Sequence, residues 1–374
     1  MKAIGRSRIL RHFGMLAALS VAACSVTLGQ DATQQYAVTN LVSNQADMAT
    51  NQDTNLVNAW GMSRSSGSPW WISDNGTGLS TLYDGSGATQ ALVVTIPTGD
   101  PTQSPTGTPS GTIYNGSSDD FLLAPNAPAV FLFATEDGTI SGWNPGVNAT
   151  SAVIEVNEHS RSVFKGLAVA QVTNGAYSTT YLYAADFRRG QVRVYDTTFH
   201  HVPFFDHLFN DFAIPEGFAP FNIQNIGGNL YVAFAEQDSD KHDEVDGPGL
   251  GFVDVFSPSG HLLQRLQHGP WFNGPWAIAL ASSDFGLFSH DLLVGQFGSG
   301  QILAFDPVTG RFKGQLLNAS NQPITIDGLW GLSFGNGGKA GSATTLYFSA
   351  GPNGESNGLF GNITPVQNIA GNDR

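Results

Sequence analysis

Five side chains suited to gripping a ligand, Trp60, Lys165, Phe221, Trp276 and Trp330, occupy matching places in a Gly-and-aromatic motif that returns six times. The spacing is roughly 50 to 56 residues, and Ser110 takes the remaining place. Aromatic rings can stack on a flat ligand, and a lysine ammonium can pair with an anion. A second series follows the motifs: Asp74, Thr135 with Glu136, Asp186, Glu236, Gln296, and Ala350 with Gly351. Carboxylate and amide oxygens that converge on one point suit a hard cation such as Ca2+ or Mg2+. Asp74, Asp186, Glu236, Asn273 and Asp327, with Asn58 beside them, are therefore candidate metal ligands. Simpler roles compete with both sets. Aromatic residues at repeat-equivalent sites pack between units, and an Asp at a strand end accepts turn amides. Lys165 and Ser110 interrupt the aromatic series, which packing alone would keep apolar.

Short alternating runs punctuated by Gly and Asp must hold these residues in place. The third unit reads as strands 165–172, 179–186, 190–196 and 199–207, the first as 60–64, 69–74, 78–84 and 88–96. Four antiparallel strands per unit is the content of a propeller blade. The sixth unit, with 330–334, 344–350 and 357–364, is one strand short, and residues 36–42 can supply it. The expectation is an all-β, six-bladed β-propeller over residues 36–365, one domain closed by an N-terminal strand in its last blade, with a leader (1–35) and a tail (366–374). In such a blade the start of the first strand and the end of the second share an edge, so both series face one mouth of the central channel. Two segments break the repeat: a Pro, Thr and Ser-rich loop (97–109) and an insertion (237–249) on the channel face. The insertion carries Asp238, Asp240, Asp243, Glu244 and Asp246 but lacks the EF-hand pattern, and it reads as a solvated acidic loop.

The core Phe164-Lys165-Gly166-Leu167-Ala168 and third strands such as Gly300-Gln301-Ile302-Leu303-Ala304-Phe305-Asp306 are similar to NHL-type propeller repeats. With the opening from Tyr36 to Ser43 and Asn58 to Gly61, residues 36–365 resemble a family of exported bacterial six-bladed propellers, a likeness that implies fold and export but no activity. More distantly, Asn273-Gly274 and Asp327-Gly328 resemble the regucalcin and gluconolactonase group, which implies a divalent cation at the pore and lactone hydrolysis. Asn58-Ala59 stands where that group has Glu-Gly.

Composition narrows the classes. A formal charge of −14 argues against nucleic acid as a partner. Lys2, Arg6, Arg8 and Arg11 precede an apolar run, 13–23, too short to span a bilayer, which is the pattern of an export signal. Cys24, the single cysteine, ends that run as in a bacterial lipobox; lipidation there and cleavage nearer Gly29 both stay open. Either way the mature chain has no disulfide and no second hydrophobic span. Nucleophile elbows, phosphate loops and zinc spacings are missing, and His200, His201 and His207 fall on an outer strand. The reading is an exported monomer, secreted or lipid-anchored, that binds a small molecule, carbohydrate or protein at the channel face. The alternative is a hydrolase or lyase using a divalent metal held by the pore carboxylates.

Overall fold

A computed structural model describes residues 34–366 and folds them into six blades around one axis. The innermost strands are Ala59–Ser63, Pro109–Tyr114, Phe164–Asn174, Phe218–Ile226, Pro275–Leu280 and Leu329–Phe334. Each packs against the next, and the sixth packs against the first, so the ring is closed. The closing strand is as expected. Tyr36–Ser43 runs antiparallel to Leu359–Pro365 in the sixth blade, from Tyr36 opposite Pro365 to Ser43 opposite Leu359, with a bulge at Leu41. A short strand, Asn51–Gln52, adds in parallel on its outer side.

Two outer strands differ from the expectation. Residues 199–207 do not form a fourth strand, and the third blade has three. One bridge, Tyr195 to His201, starts the pairing; Phe199 lies at φ 63° and Pro203, without an N–H, opens a 3-10 turn that ends it. The fourth strand of the first blade shrinks from 88–96 to Val94–Thr95. The export signal, Cys24 and the tail after Val366 lie outside the described residues.

Every inner strand carries a bulge at its motif. In the third blade Phe164 pairs with Asp186 and Gly166 with Ala185, which leaves Lys165 out of the ladder. The same skip falls at Trp60, Ser110, Phe221, Trp276 and Trp330. A bulge re-aims the side chain it releases, and here five of the six, all but Ser110, converge on one another. The glycines that follow let the strands converge. A Cβ on Gly111 would stand 2.7 Å from the Gly166 Cα, and one on Gly61 would meet the Ser110 carbonyl oxygen at 2.4 Å. Between blades, apolar faces interlock, as where Trp71 stacks on Phe131 at 4.2 Å between the first and second.

Candidate functional site

Five of the six bulge side chains, Trp60, Lys165, Phe221, Trp276 and Trp330, cluster at the channel, while Ser110 Oγ donates to the Phe164 carbonyl at 2.6 Å. Trp60 and Trp330 meet at 3.9 Å between ring centroids, Phe297 stacks on Trp330 at 4.0 Å, and Phe221 and Trp276 reach Trp330 at 5.8 and 5.9 Å. All five predicted ligand-gripping residues are buried. The structure thus brings them together as a plug of tilted and edge-on rings. Asn58, in the left-handed region at φ 49°, accepts from both Trp60 Nε1 (2.9 Å) and Trp330 Nε1 (3.0 Å) through one oxygen.

Lys165 is the charged member of the plug. Its Nζ lies 4.7 Å from the Trp60 ring centroid, 2.5 Å from Glu136 Oε1 and 3.2 Å from Asp243 Oδ1. Burial alone would lower its pKa, but the carboxylates of Glu136, Glu244 and Asp243 outweigh that and hold the ammonium above its ordinary range. The network continues on both sides. Glu136 Oε2 accepts from Asn75 Nδ2 (2.7 Å), and Asn58 Nδ2 donates to Glu355 Oε2 (2.5 Å). His242 Nδ1 and Asp243 Oδ1 are 2.9 Å apart; that bond raises the imidazole pKa and helps hold the Asp243 carboxyl well below the usual carboxylate range. Glu244, half-buried, is pushed up to about 8 by desolvation despite Lys165 nearby.

The insertion delivers Asp243, His242 and Glu244, and it is not simply solvated. Glu244–Val245 pairs with the end of the Asn229–Gln237 strand, while Asp238 closes the turn by accepting from His242 N at 2.8 Å. Asn273 Oδ1 anchors the far side through Gly247 N at 2.7 Å. The 97–109 loop arrives from the other direction. Asp137 Oδ2 accepts from Gly99 N (2.6 Å) and Thr98 Oγ1 (3.0 Å). Between the two segments lies a cavity of about 360 Å3, with Glu136 and His242 on its wall beside His159 and Arg188. A larger groove, about 890 Å3, opens on the opposite face. Its wall is neutral apart from Asp120, and its amides Asn115 and Asn225 donate to the backbone carbonyls of Ala129 and Val169.

The expected metal ring does not assemble. Asp74 accepts from Thr81 N in its own blade, and burial raises its pKa well above the ordinary value. Asp186 accepts from Val163 N and Arg189 N and is pushed up to about 6, again by burial. Asp327 accepts from Asn353 N, Asn273 holds the insertion, and Glu236 lies on the strand that pairs with it. These are the strand-end and turn roles that compete with metal binding. Among the described residues one other group, Glu136, His242 and Asp243, brings three possible ligand atoms within 4.8 Å of one another. A divalent cation does not fit there. The Lys165 ammonium already pairs with both carboxylates, and a second positive charge at hydrogen-bond distance would be repelled. Sequence reasoning placed Glu136 and Lys165 on this face, whereas His242 and Asp243 were hidden in an acidic run and Asn75 and Glu355 gave no signal.

Fold and site together define a six-bladed β-propeller with a plugged channel and a charged cluster under two insertions. No protein-family model matches the chain. It is 32% identical over 312 residues to uncharacterized protein R648 of Acanthamoeba polyphaga mimivirus, covering 81% of this chain and 74% of the relative. A second mimivirus protein, L690, is 30% identical over 346 residues, 90% of this chain and 88% of the relative. The chain belongs to the family of these viral proteins. Among solved structures, a protein of unknown function from Bacteroides thetaiotaomicron superposes with a TM-score of 0.53 at 11% identity, covering 89% of this chain and 77% of that one. A streptogramin B lyase gives 0.50 at 11%, covering 89% and 98%. A gluconolactonase of Xanthomonas campestris gives 0.46 at 16%, covering 76% and 79%. At such identities the likeness is one of fold.

Proposed function

We propose that this protein is a binding propeller that holds a small polar molecule in the cavity over the Lys165 cluster. One observation carries the reading: the two segments that break the repeat meet at that cavity, where Asp100 and His242 from them join Glu136, Asp137, His159 and Arg188 from the blades. Concave sites with a few placed polar groups are the usual form of ligand pockets. Aromatic stacking in the channel is not part of the reading, because the plug residues cover one another. Crystallographic screening with small polar fragments tests it. Fragments in the cavity between 97–109 and 237–249 support it, and fragments confined to the outer strands or the opposite groove overturn it.

The metal-dependent hydrolase reading yields a separate expectation. With Lys165 in place, Ca2+, Mg2+ and Mn2+ should leave the melting temperature unchanged. A cation-induced rise that disappears in Asp243→Asn would restore that reading. Export belongs to the proposal on the strength of the basic and apolar N-terminal residues. Mass spectrometry of the mature chain decides it: a start at Cys24 or near Gln30 supports export, and a retained Met1 opposes it.

A further inference from the structure

The strand Phe164–Asn174 has 11 residues, where the other inner strands have 5 to 9, and its far half lies along the groove opposite the Lys165 cluster. It ends the three-stranded sheet of the third blade, so one of its edges has no neighbouring strand. The hairpin fixes which residues face that edge. Asn174 and Tyr177 flank a two-residue turn with Gly175 at φ 63°, and such a pair exchanges both of its hydrogen bonds. Alternation then spends the N–H and C=O of Asn174, Val172 and Ala170 on the Tyr177–Asp186 strand. Those of Thr173, Gln171 and Val169 turn the other way. Asn225 of the fourth blade agrees with this parity, because its Nδ2 donates to the Val169 carbonyl at 2.7 Å. The N–H and C=O of Gln171 and Thr173 meet no partner among the described residues.

Edges of this kind are commonly blunted by a lysine, a proline or a bulge. Residues 169–174, Val-Ala-Gln-Val-Thr-Asn, carry none of the three, and the bulge of this strand lies back at Lys165. The groove, about 890 Å3, sets the shape of what can reach the edge. Asn115 and Ser117 wall it from the second blade and Gly228, Ser257 and Ser259 from the fourth, so the edge lies in a recess between turns. A single extended chain fits between them, whereas the edge of a second propeller would strike the turns first. The wall also has a sign. Asp120 is its one charged residue, and the Asp120 carboxylate has no ion-pair partner among the described residues.

We propose that this groove is a second binding site, which takes an extended, basic segment of a partner protein as an added strand on Gln171 and Thr173. Main-chain hydrogen bonds hold such a segment, and its lysine or arginine sits beside Asp120. The probes are labelled heptapeptides blocked at both ends, Thr-Val-Thr-Lys-Thr-Val-Thr and the same chain with Glu at the centre, titrated against the full-length protein by fluorescence anisotropy. The lysine peptide should bind at millimolar concentration or below. It should bind about two- to fivefold tighter than the glutamate peptide, a difference that Asp120→Asn removes. N-methylation of the peptide amides on one side should abolish binding, and on the other side it should be tolerated. Gln171→Pro should weaken binding about tenfold or more. Its missing N–H points away from the hairpin partner, so far-ultraviolet dichroism should show the variant folded. Equal affinity of the two peptides would overturn the basic class. Binding indifferent to both methylation patterns, or to Gln171→Pro, would overturn the added strand. A dimer of the unliganded protein that Gln171→Pro dissolves would make a second copy the occupant and overturn the partner segment. Failure of the lysine peptide to bind overturns the proposal.

Discussion

Lys165 occupies a position where the sequence suggests a ligand contact, and its environment explains why it is a lysine. A bulge points it at the axis, three acidic groups, Glu136, Glu244 and Asp243, lie around it, and aromatic rings pack against it. Breaking such a pair from one side leaves a buried charge, at a typical cost of about 3–5 kcal/mol. Lys165→Met should destabilise the protein by that order in urea unfolding, and adding Glu136→Gln should recover part of it. Full stability in the single variant would contradict the role given to the pair. Asp254 yields a pH prediction. It is buried beside Asp211, which Arg265 engages, and desolvation followed by the Asp211 charge pushes it up to about 8. The folded protein therefore holds a proton that the unfolded chain releases near its ordinary value of about 3.9. Between those values the native state binds more protons, so stability falls as pH rises from about 4 to 8. Asp254→Asn should flatten that slope and melt higher than wild type at pH 8. Parallel melting-temperature profiles would refute the assignment.

At the scale of elements, the closing strand links the two ends of the described chain. Tyr36 donates to the Phe285 carbonyl at 3.0 Å and packs on Phe285 and Phe288, and Val42 is fully buried. Deleting residues 36–42 should abolish the cooperative melting transition or cause aggregation, because it bares the edge of Leu359–Pro365. An unchanged transition would show that closure is dispensable. The inner strands and this closure were legible because Gly-aromatic motifs and strand alternation are local signals. The bulges were not, since one extra residue in a ladder leaves little trace in a period of two. Nor was the pairing of Asp243 with Lys165, 78 residues apart, which the packing of the third blade on the fourth brings together. The fourth strand missing from the third blade has a sequence cue in Pro203, which has no N–H to donate to a ladder.

Over the whole molecule, the plug divides the channel into two mouths with different chemistry, charged on one face and neutral in the groove of the other. The strand pairing in the sixth blade ties the two ends of the ring together. Its clasp has Tyr36 opposite Pro365, with Val366 N donating to the Gln35 carbonyl at 2.8 Å, so the chain enters and leaves the blade at the same corner. That arrangement sets how the protein responds to force. Tension applied through the two ends pulls first on the Tyr36–Pro365 pair and then on each pair behind it. The clasp is loaded as a zipper, one rung at a time, and not as a lap joint in which all rungs share the load. In an optical trap, stretching from residues 34 and 366 should peel the N-terminal strand in an early, low-force step before the remaining blades give way. Stretching from residue 34 and a handle in the turn preceding Leu359 loads the same strands in shear and should require markedly more force. Equal forces for the two attachments would mean that this clasp is not the first element to open.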